Sequence, residues 1–243
     1  MRTLVLLSGM AVLLSVAACH KSNNDTNHGQ LKFSVSHKVD GATVVFDTIT
    51  YTNAAGNNYG IEKLQYYISN ICLYQKGKLC YSFPDIVYID ASIDSLCSFS
   101  ITPSSGLKTG TYDSIALMVG IDAAHNTSNY LPASLANLDM GWPDAMGGGY
   151  HFFKMEGHWL DAGTSTGYAM HIGMNGFQIN AGFPCSITVA SSGDPALSFS
   201  MNVNKWFSGA YTYNFATDGY FSMGDSTMMK KLSTNGATAF YSN

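Results

Sequence analysis

Apolar and polar positions alternate along most of this chain, with a period of two rather than 3.6. Leu31, Phe33 and Val35 alternate with Lys32, Ser34 and Ser36, and His37 continues the apolar parity. Ile115, Leu117, Val119 and Ile121 share a second such face, and Phe199, Met201 and Val203 a third. A period of two is the signature of a half-buried strand. The stretch from Ile61 to Tyr74 carries apolar groups on both parities, as a strand covered on both faces does. Gly, Asn and Pro clusters separate these runs, and Lys76-Gly77-Lys78 marks a hairpin. Leu131–Met140 and Met228–Leu232 predict short helices, and Lys205-Trp206-Phe207 a helical turn. About ten short strands with long loops and no repeat predict an all-β fold, a single β-sandwich of immunoglobulin-like or related type.

The first residues follow a different pattern. Arg2 precedes an apolar run from Leu4 to Val16 that is too short to cross a bilayer, and Val16-Ala17-Ala18-Cys19 resembles a lipobox. Residues 1–18 read as a signal peptide, and Cys19 as the lipidated N-terminus that anchors the protein to a membrane. His20, in place of Asp, resembles outer-membrane sorting in Gram-negative bacteria, which leaves the protein facing either the periplasm or the cell surface. Residues 19–30 are polar and read as a flexible tether, with His20 and His28 solvated in it. Residues 31–243 form the domain.

Only 12% of residues are charged and the net charge is −4, so no basic surface for nucleic acid is expected. Cys72, Cys80, Cys97 and Cys185 allow three pairings, between which the sequence does not choose; Cys72 and Cys80 flank the hairpin turn. No nucleophile elbow, phosphate loop or short-range zinc motif is present, and the chain is read as not an enzyme.

The least ordinary stretch runs from Asp139 to Gly157. Trp142 lies in a Gly/Pro loop, and Gly147-Gly148-Gly149 leads into an aromatic strand ending at Glu156-Gly157. Three consecutive glycines imply a sharp bend or a close backbone approach. Strand parity places His151, Phe153 and Met155 on one side and Tyr150, Lys154 and Glu156 on the other. Asp139, Asp144 and Glu156 read as solvated or turn-capping carboxylates. His37, His151 and His171 lie at strand ends and His125 in the loop Asp122–Asn126. Imidazoles converging from separate strands are a metal-site pattern suited to copper, zinc or nickel.

Several blocks resemble the MbnP family of exported β-rich proteins, which includes copper-binding periplasmic and surface proteins of the MopE/CorA type. They are Tyr51-Thr-Asn-Ala-Ala-Gly, Leu64-Gln-Tyr-Tyr-Ile-Ser-Asn-Ile, Val119-Gly-Ile-Asp-Ala-Ala-His-Asn, Met140-Gly-Trp, Gly149-Tyr-His-Phe-Phe-Lys-Met-Glu-Gly, His171-Ile-Gly and Asn204-Lys-Trp-Phe. The resemblance implies a β-sandwich that binds copper for acquisition, storage or delivery, with a tryptophan oxidised to kynurenine by a di-haem peroxidase-like partner. Carried over by block, it implies His171, His125 and His37 as ligands and Trp142 as the oxidisable ring; His151 departs from the family and reads as an additional ligand or a local polar substitution. Pro143-Asp144 stands where the family often has a second tryptophan, and His151 where many members are aliphatic. The alternative reading is a surface adhesion or interaction module without metal.

Overall fold

The computed structural model describes residues 26–243, so the signal peptide and the lipidation residue Cys19 lie outside the described residues. The strands in chain order are β1 (Thr26–Asn27), β2 (Leu31–Val39), β3 (Ala42–Thr43), β4 (Tyr51–Thr52), β5 (Asn58–Tyr59), β6 (Lys63–Gln75), β7 (Lys78–Phe83), β8 (Val87–Asp90), β9 (Ser98–Ile101), β10 (Leu107–Lys108), β11 (Gly110–Val119), β12 (His151–Asp161), β13 (Thr164–Gly173), β14 (Ile179–Val189), β15 (Ala196–Asn202) and β16 (Phe240–Ser242). The helices are α1 (Leu135–Asp139), α2 (Phe215–Asp218) and α3 (Ser226–Gly236). The all-β expectation holds, although several strands are only two residues long.

Two sheets pack face to face. The larger has nine strands around the path β14-β11-β6-β12-β5-β4, with β13 on β12 and with β7 and β8 on β6. The smaller has five, β16-β15-β2-β3 with β9 on β2, and its β2–β15 pair is parallel. The parity read from the sequence builds the core between them. Tyr66, Leu117, Phe153 and Ile172 of the large sheet and Phe33, Val35, Phe199 and Met201 of the small one are buried. Phe183 meets Phe199 at 5.7 Å between ring centroids, and Tyr66 meets Phe240 at 6.3 Å. Such aromatic contacts contribute about 0.5–1.5 kcal/mol each beyond area burial.

The outer face of β6 is covered as well. Tyr67 packs edge to face against Tyr88 and Tyr150, and its hydroxyl donates to Asn137 Oδ1 in α1 at 2.8 Å. The segment between β11 and β12 therefore forms a cap over the centre of the large sheet, which explains why both parities of β6 are apolar.

Two local expectations change, and the C-terminal segment acquires a definite role. The ordered fold starts before Leu31: Thr26–Asn27 pairs with β10, and buried Asn27 donates to the carbonyls of Ala190 and Gly193. The C-terminal segment completes the core, since α3 buries Met228, Met229 and Leu232 and β16 pairs with β15. The hairpin at Lys76-Gly77 forms, both residues having positive φ, as a tight turn requires. It does not bring Cys72 to Cys80, because Cys80 is the extra residue of a bulge between Tyr81 and Leu79, and Cys72 faces Ser82 instead. All four described cysteines are free thiols.

Candidate functional site

The Met140–Tyr150 loop closes on itself before β12 begins. Trp142 N–H donates to the Gly149 carbonyl at 2.9 Å, and His151 N–H to the Met140 carbonyl at 2.7 Å. The three glycines serve both uses expected of them. Their φ angles are +106°, +67° and +88°, a left-handed run that L side chains resist. A Cβ on Gly148 would lie 2.6 Å from Ser128 Oγ, and one on Gly149 would overlap Asn126 Oδ1. The loop thereby delivers Trp142, only 3% exposed, with its indole N–H donating to the Met146 carbonyl at 3.2 Å.

A β-bulge sets what the indole meets. His151 pairs with Gly173 and Phe153 with Ile172, so β12 carries one residue more than β13 between these points. A bulge re-aims the side chains beside it. Simple alternation puts His151 with Phe153 on the inner face; the extra residue instead turns it to the outer face, where Gly173 and His171 lie. The His151 ring sits 4.8 Å from Trp142 and 4.9 Å from His171, nearly perpendicular to the latter. Gly173 makes room for this, because a Cβ there would overlap the Trp142 ring.

The hydrogen bonds of the two imidazoles leave one nitrogen of each unpaired. His151 Nδ1 faces the Met140 carbonyl at 3.2 Å, and His171 Nε2 faces Glu156 Oε1 at 2.9 Å. A carbonyl and an ionised carboxylate only accept, so both these nitrogens carry the proton. In the neutral rings His151 Nε2 and His171 Nδ1 are then lone-pair atoms. Both are buried and have no hydrogen-bond partner. Burying an unsatisfied polar atom costs about 1–3 kcal/mol, and two adjacent ones in a native fold call for a reason.

Charges frame the pair. Glu156 is held down at about 2, mainly by its hydrogen bond to His171, with Lys63 and Lys154 adding to the effect. Lys154 is buried and bonds both the carbonyl and the carboxylate of Asp139, at 3.0 and 3.1 Å. Burial, with a smaller contribution from the neighbouring His171, lowers His151 to about 4, so it is neutral at pH 7. Glu156 is thus a partnered group beside the imidazoles; Asp139 pairs with Lys154 yet is exposed, and exposed Asp144 accepts from Ser128 Oγ at 2.5 Å.

The other expected ligands lie elsewhere. His37 points into the inter-sheet core, where its Nε2 and the Tyr66 hydroxyl are 2.9 Å apart. Tyr66 pairs with Phe153, whereas His171 pairs with Lys154, the next residue, so His37 and His171 occupy opposite faces of the large sheet. His125 stays in its loop, with Nδ1 2.7 Å from Asp122 Oδ2 and its ring against Tyr130. The set His37, His125 and His171 therefore does not converge. Among the described residues no three His, Cys, Asp or Glu side chains are grouped to hold a metal ion. The pair that does converge is His151 and His171. The missing signal was the bulge; the Glu156 contact was legible, since a two-residue turn at Ala162-Gly163 fixes a register that places His171 opposite Lys154 and diagonal to Glu156.

Among curated proteins none matches this chain. Among solved structures, MbnP from Methylosinus trichosporium is similar at 16% sequence identity, over 76% of this chain and 80% of that one, with a TM-score of 0.44. The family model for MbnP matches residues 28–229. By that match, which spans most of its length, the chain belongs to the MbnP family.

Proposed function

We propose that this protein is a copper-binding lipoprotein without enzymatic activity, holding the ion between His151 Nε2 and His171 Nδ1. The observation that carries this reading is the pair of buried, unpartnered nitrogens on facing imidazoles. Imidazole suits copper, and copper binds such sites more tightly than the other first-row divalents. The groups behind the two rings match what ligating histidines use: each protonated nitrogen is anchored, one by a carbonyl and one by Glu156. The role that fits is acquisition, storage or delivery.

The rest of the reading extends from the same place. Trp142, packed on His151, is the residue a di-haem peroxidase-like partner would oxidise. Its other side borders a cavity of about 190 Å³ lined by Tyr150, Leu131 and Leu138. Cys19 would anchor the protein to the outer membrane. Leu135 and Leu138, 88% and 68% exposed beside that cavity, favour a second reading in which the cap docks a partner without metal.

Titration of the mature protein with Cu(I) against a chromogenic chelator separates the two. A His151→Ala/His171→Ala double variant should retain one copper fewer than wild type. Equal retention would leave only the interaction module. Mass spectrometry of the Trp142 peptide from cells carrying the partner tests the oxidation, and an unmodified peptide would remove it.

A further inference from the structure

The lysines of this acidic protein are unevenly spread. Among the described residues Lys32, Lys63, Lys154 and Lys231 lie in ion pairs, whereas Lys76, Lys78 and Lys108 do not. These three gather at one end of the sandwich. Lys76 lies in the turn between β6 and β7, Lys78 follows it, and Lys78 and Lys108 line one cavity of about 550 Å³. The chain enters the fold at the same place, because Thr26 pairs with Lys108. We propose that this end is a membrane-facing surface, which seats the domain on anionic phospholipid headgroups. The inference rests on the lipid anchor at Cys19 proposed above and is independent of copper.

The tether is the first support. Seven residues, Cys19 to Asp25, separate the anchor from Thr26, and such a segment spans at most about 25 Å. That length keeps the end nearest Thr26 within reach of the bilayer. Two tyrosines fix β10, and through it β1, to this end. The Lys108 N–H donates to the Tyr81 hydroxyl at 2.9 Å, and the Tyr112 hydroxyl donates to the Lys108 carbonyl at 2.9 Å. From there β11 runs ten residues, Gly110–Val119, before the chain enters the cap. At the usual strand rise that is about 30 Å. The cap that carries Trp142 therefore stands about a strand length away from the bilayer.

Charge is the second. The chain carries a net −4, yet this end presents Lys76, Lys78 and Lys108, all exposed. Two carboxylates lie near them. Asp113 accepts from the Lys76 backbone N–H, and Asp194 is neutralised by Lys32. The cluster is therefore net positive. Lysines at an anionic bilayer surface each strengthen binding about fivefold, or about 100-fold for three. Apolar surface is the third. Leu79, 50% exposed, and half-buried Tyr81 line the same cavity as Lys78 and Lys108. Apolar side chains set among lysines suit the boundary between headgroups and acyl chains, where each kind of group meets its own solvent.

Cys80 is exposed in the same cavity and serves as the reporter. Mature lipidated protein with Cys72→Ser, Cys97→Ser and Cys185→Ser is labelled there with a fluorophore and reconstituted in vesicles whose headgroups carry nitroxide. A second preparation adds Cys80→Ser and Thr164→Cys, which moves the label to the exposed β12–β13 hairpin. In vesicles of mixed phosphatidylcholine and phosphatidylglycerol, the Cys80 label should be quenched at least threefold more than the hairpin label. Lys76→Gln/Lys78→Gln/Lys108→Gln should remove that difference, and so should about 1 M salt, where the Debye length falls to about 3 Å. Flotation with phosphatidylcholine vesicles reads the anchor separately. Protein that floats but is quenched equally at both sites, or whose difference survives the triple variant, overturns the membrane-facing surface alone. Protein that does not float overturns the anchor and the surface with it.

Discussion

His151 and His171 meet edge to face, centroids 4.9 Å apart, although His151 pairs with Gly173 and not with His171 in the ladder. The contact exists because β12 is one residue longer than its partner there and because Gly173 leaves the space that Trp142 fills. Gly173→Ala should therefore lower stability by about 1–3 kcal/mol, as forced overpacking does, and should change Trp142 fluorescence. Gly182→Ala is the matched control: it also sits in a strand, but its new Cβ would meet atoms no closer than 3.7 Å. Denaturant midpoints should separate the two variants, and equal midpoints would show that Trp142 is not held by this contact.

The pH dependence of stability should be dominated by two buried imidazoles. His37 and His151 are both lowered to about 4 in the fold, against 6.5 in the unfolded chain. Between those values the unfolded chain takes up protons that the folded one refuses, so stability falls as pH drops from about 6.5 to 4 and is flat above. Each contributes on the order of 3 kcal/mol across the window. Urea midpoints measured from pH 7.5 to 4 should show this slope in metal-free protein. His151→Leu should lessen it by about half; an unaltered slope would mean that His151 is solvated.

Glu156 should act on copper through His171. Its carboxylate fixes the Nε2–H form of that ring and leaves Nδ1 free. Glu156→Ala should weaken Cu(I) binding about 10–100-fold, the usual effect of losing such a support. Stability at pH 7 should fall modestly, because the group's stabilisation is fully present there but is screened at a partly exposed carboxylate. Its acid limb differs from that of the histidines: the stabilisation is present above about 4.5 and is lost as pH falls toward about 2, where folded Glu156 protonates. Loss of that low-pH limb in Glu156→Ala checks the assignment, and copper affinity equal to wild type would contradict it.

The core faces of β2, β6, β11 and β15 could be read from the sequence, because burial on one or both sides leaves a periodic record. His37 was placed correctly on that ground, inside the sandwich. His151 was placed on the wrong face by the same rule, because alternation assumes an unbroken ladder and one inserted residue reverses it. His125 and His171 were grouped through blocks of sequence, yet a loop and a strand face have no fixed distance until the fold is known. Asn235 left no periodic signal at all. It is fully buried and ties α3 to Trp206 and Tyr211 through three hydrogen bonds that only the tertiary structure creates.

His125 offers the sharpest contrast with the ligand set read from the sequence. Its ring is partly exposed and its Nδ1 is taken by Asp122. Surface pairs of this kind contribute about 0–1 kcal/mol. His125→Ala should thus leave Cu(I) stoichiometry and affinity at wild-type values and move the denaturant midpoint only slightly. His171→Ala removes the unpartnered Nδ1 of the ring packed against His151 and should weaken binding by at least 100-fold under the same chelator competition. A loss in His125→Ala comparable to that in His171→Ala would require the Asp122–Asn126 loop to close over the imidazole pair when copper binds. Amide exchange in that loop, compared with and without copper, should on the present reading be the same.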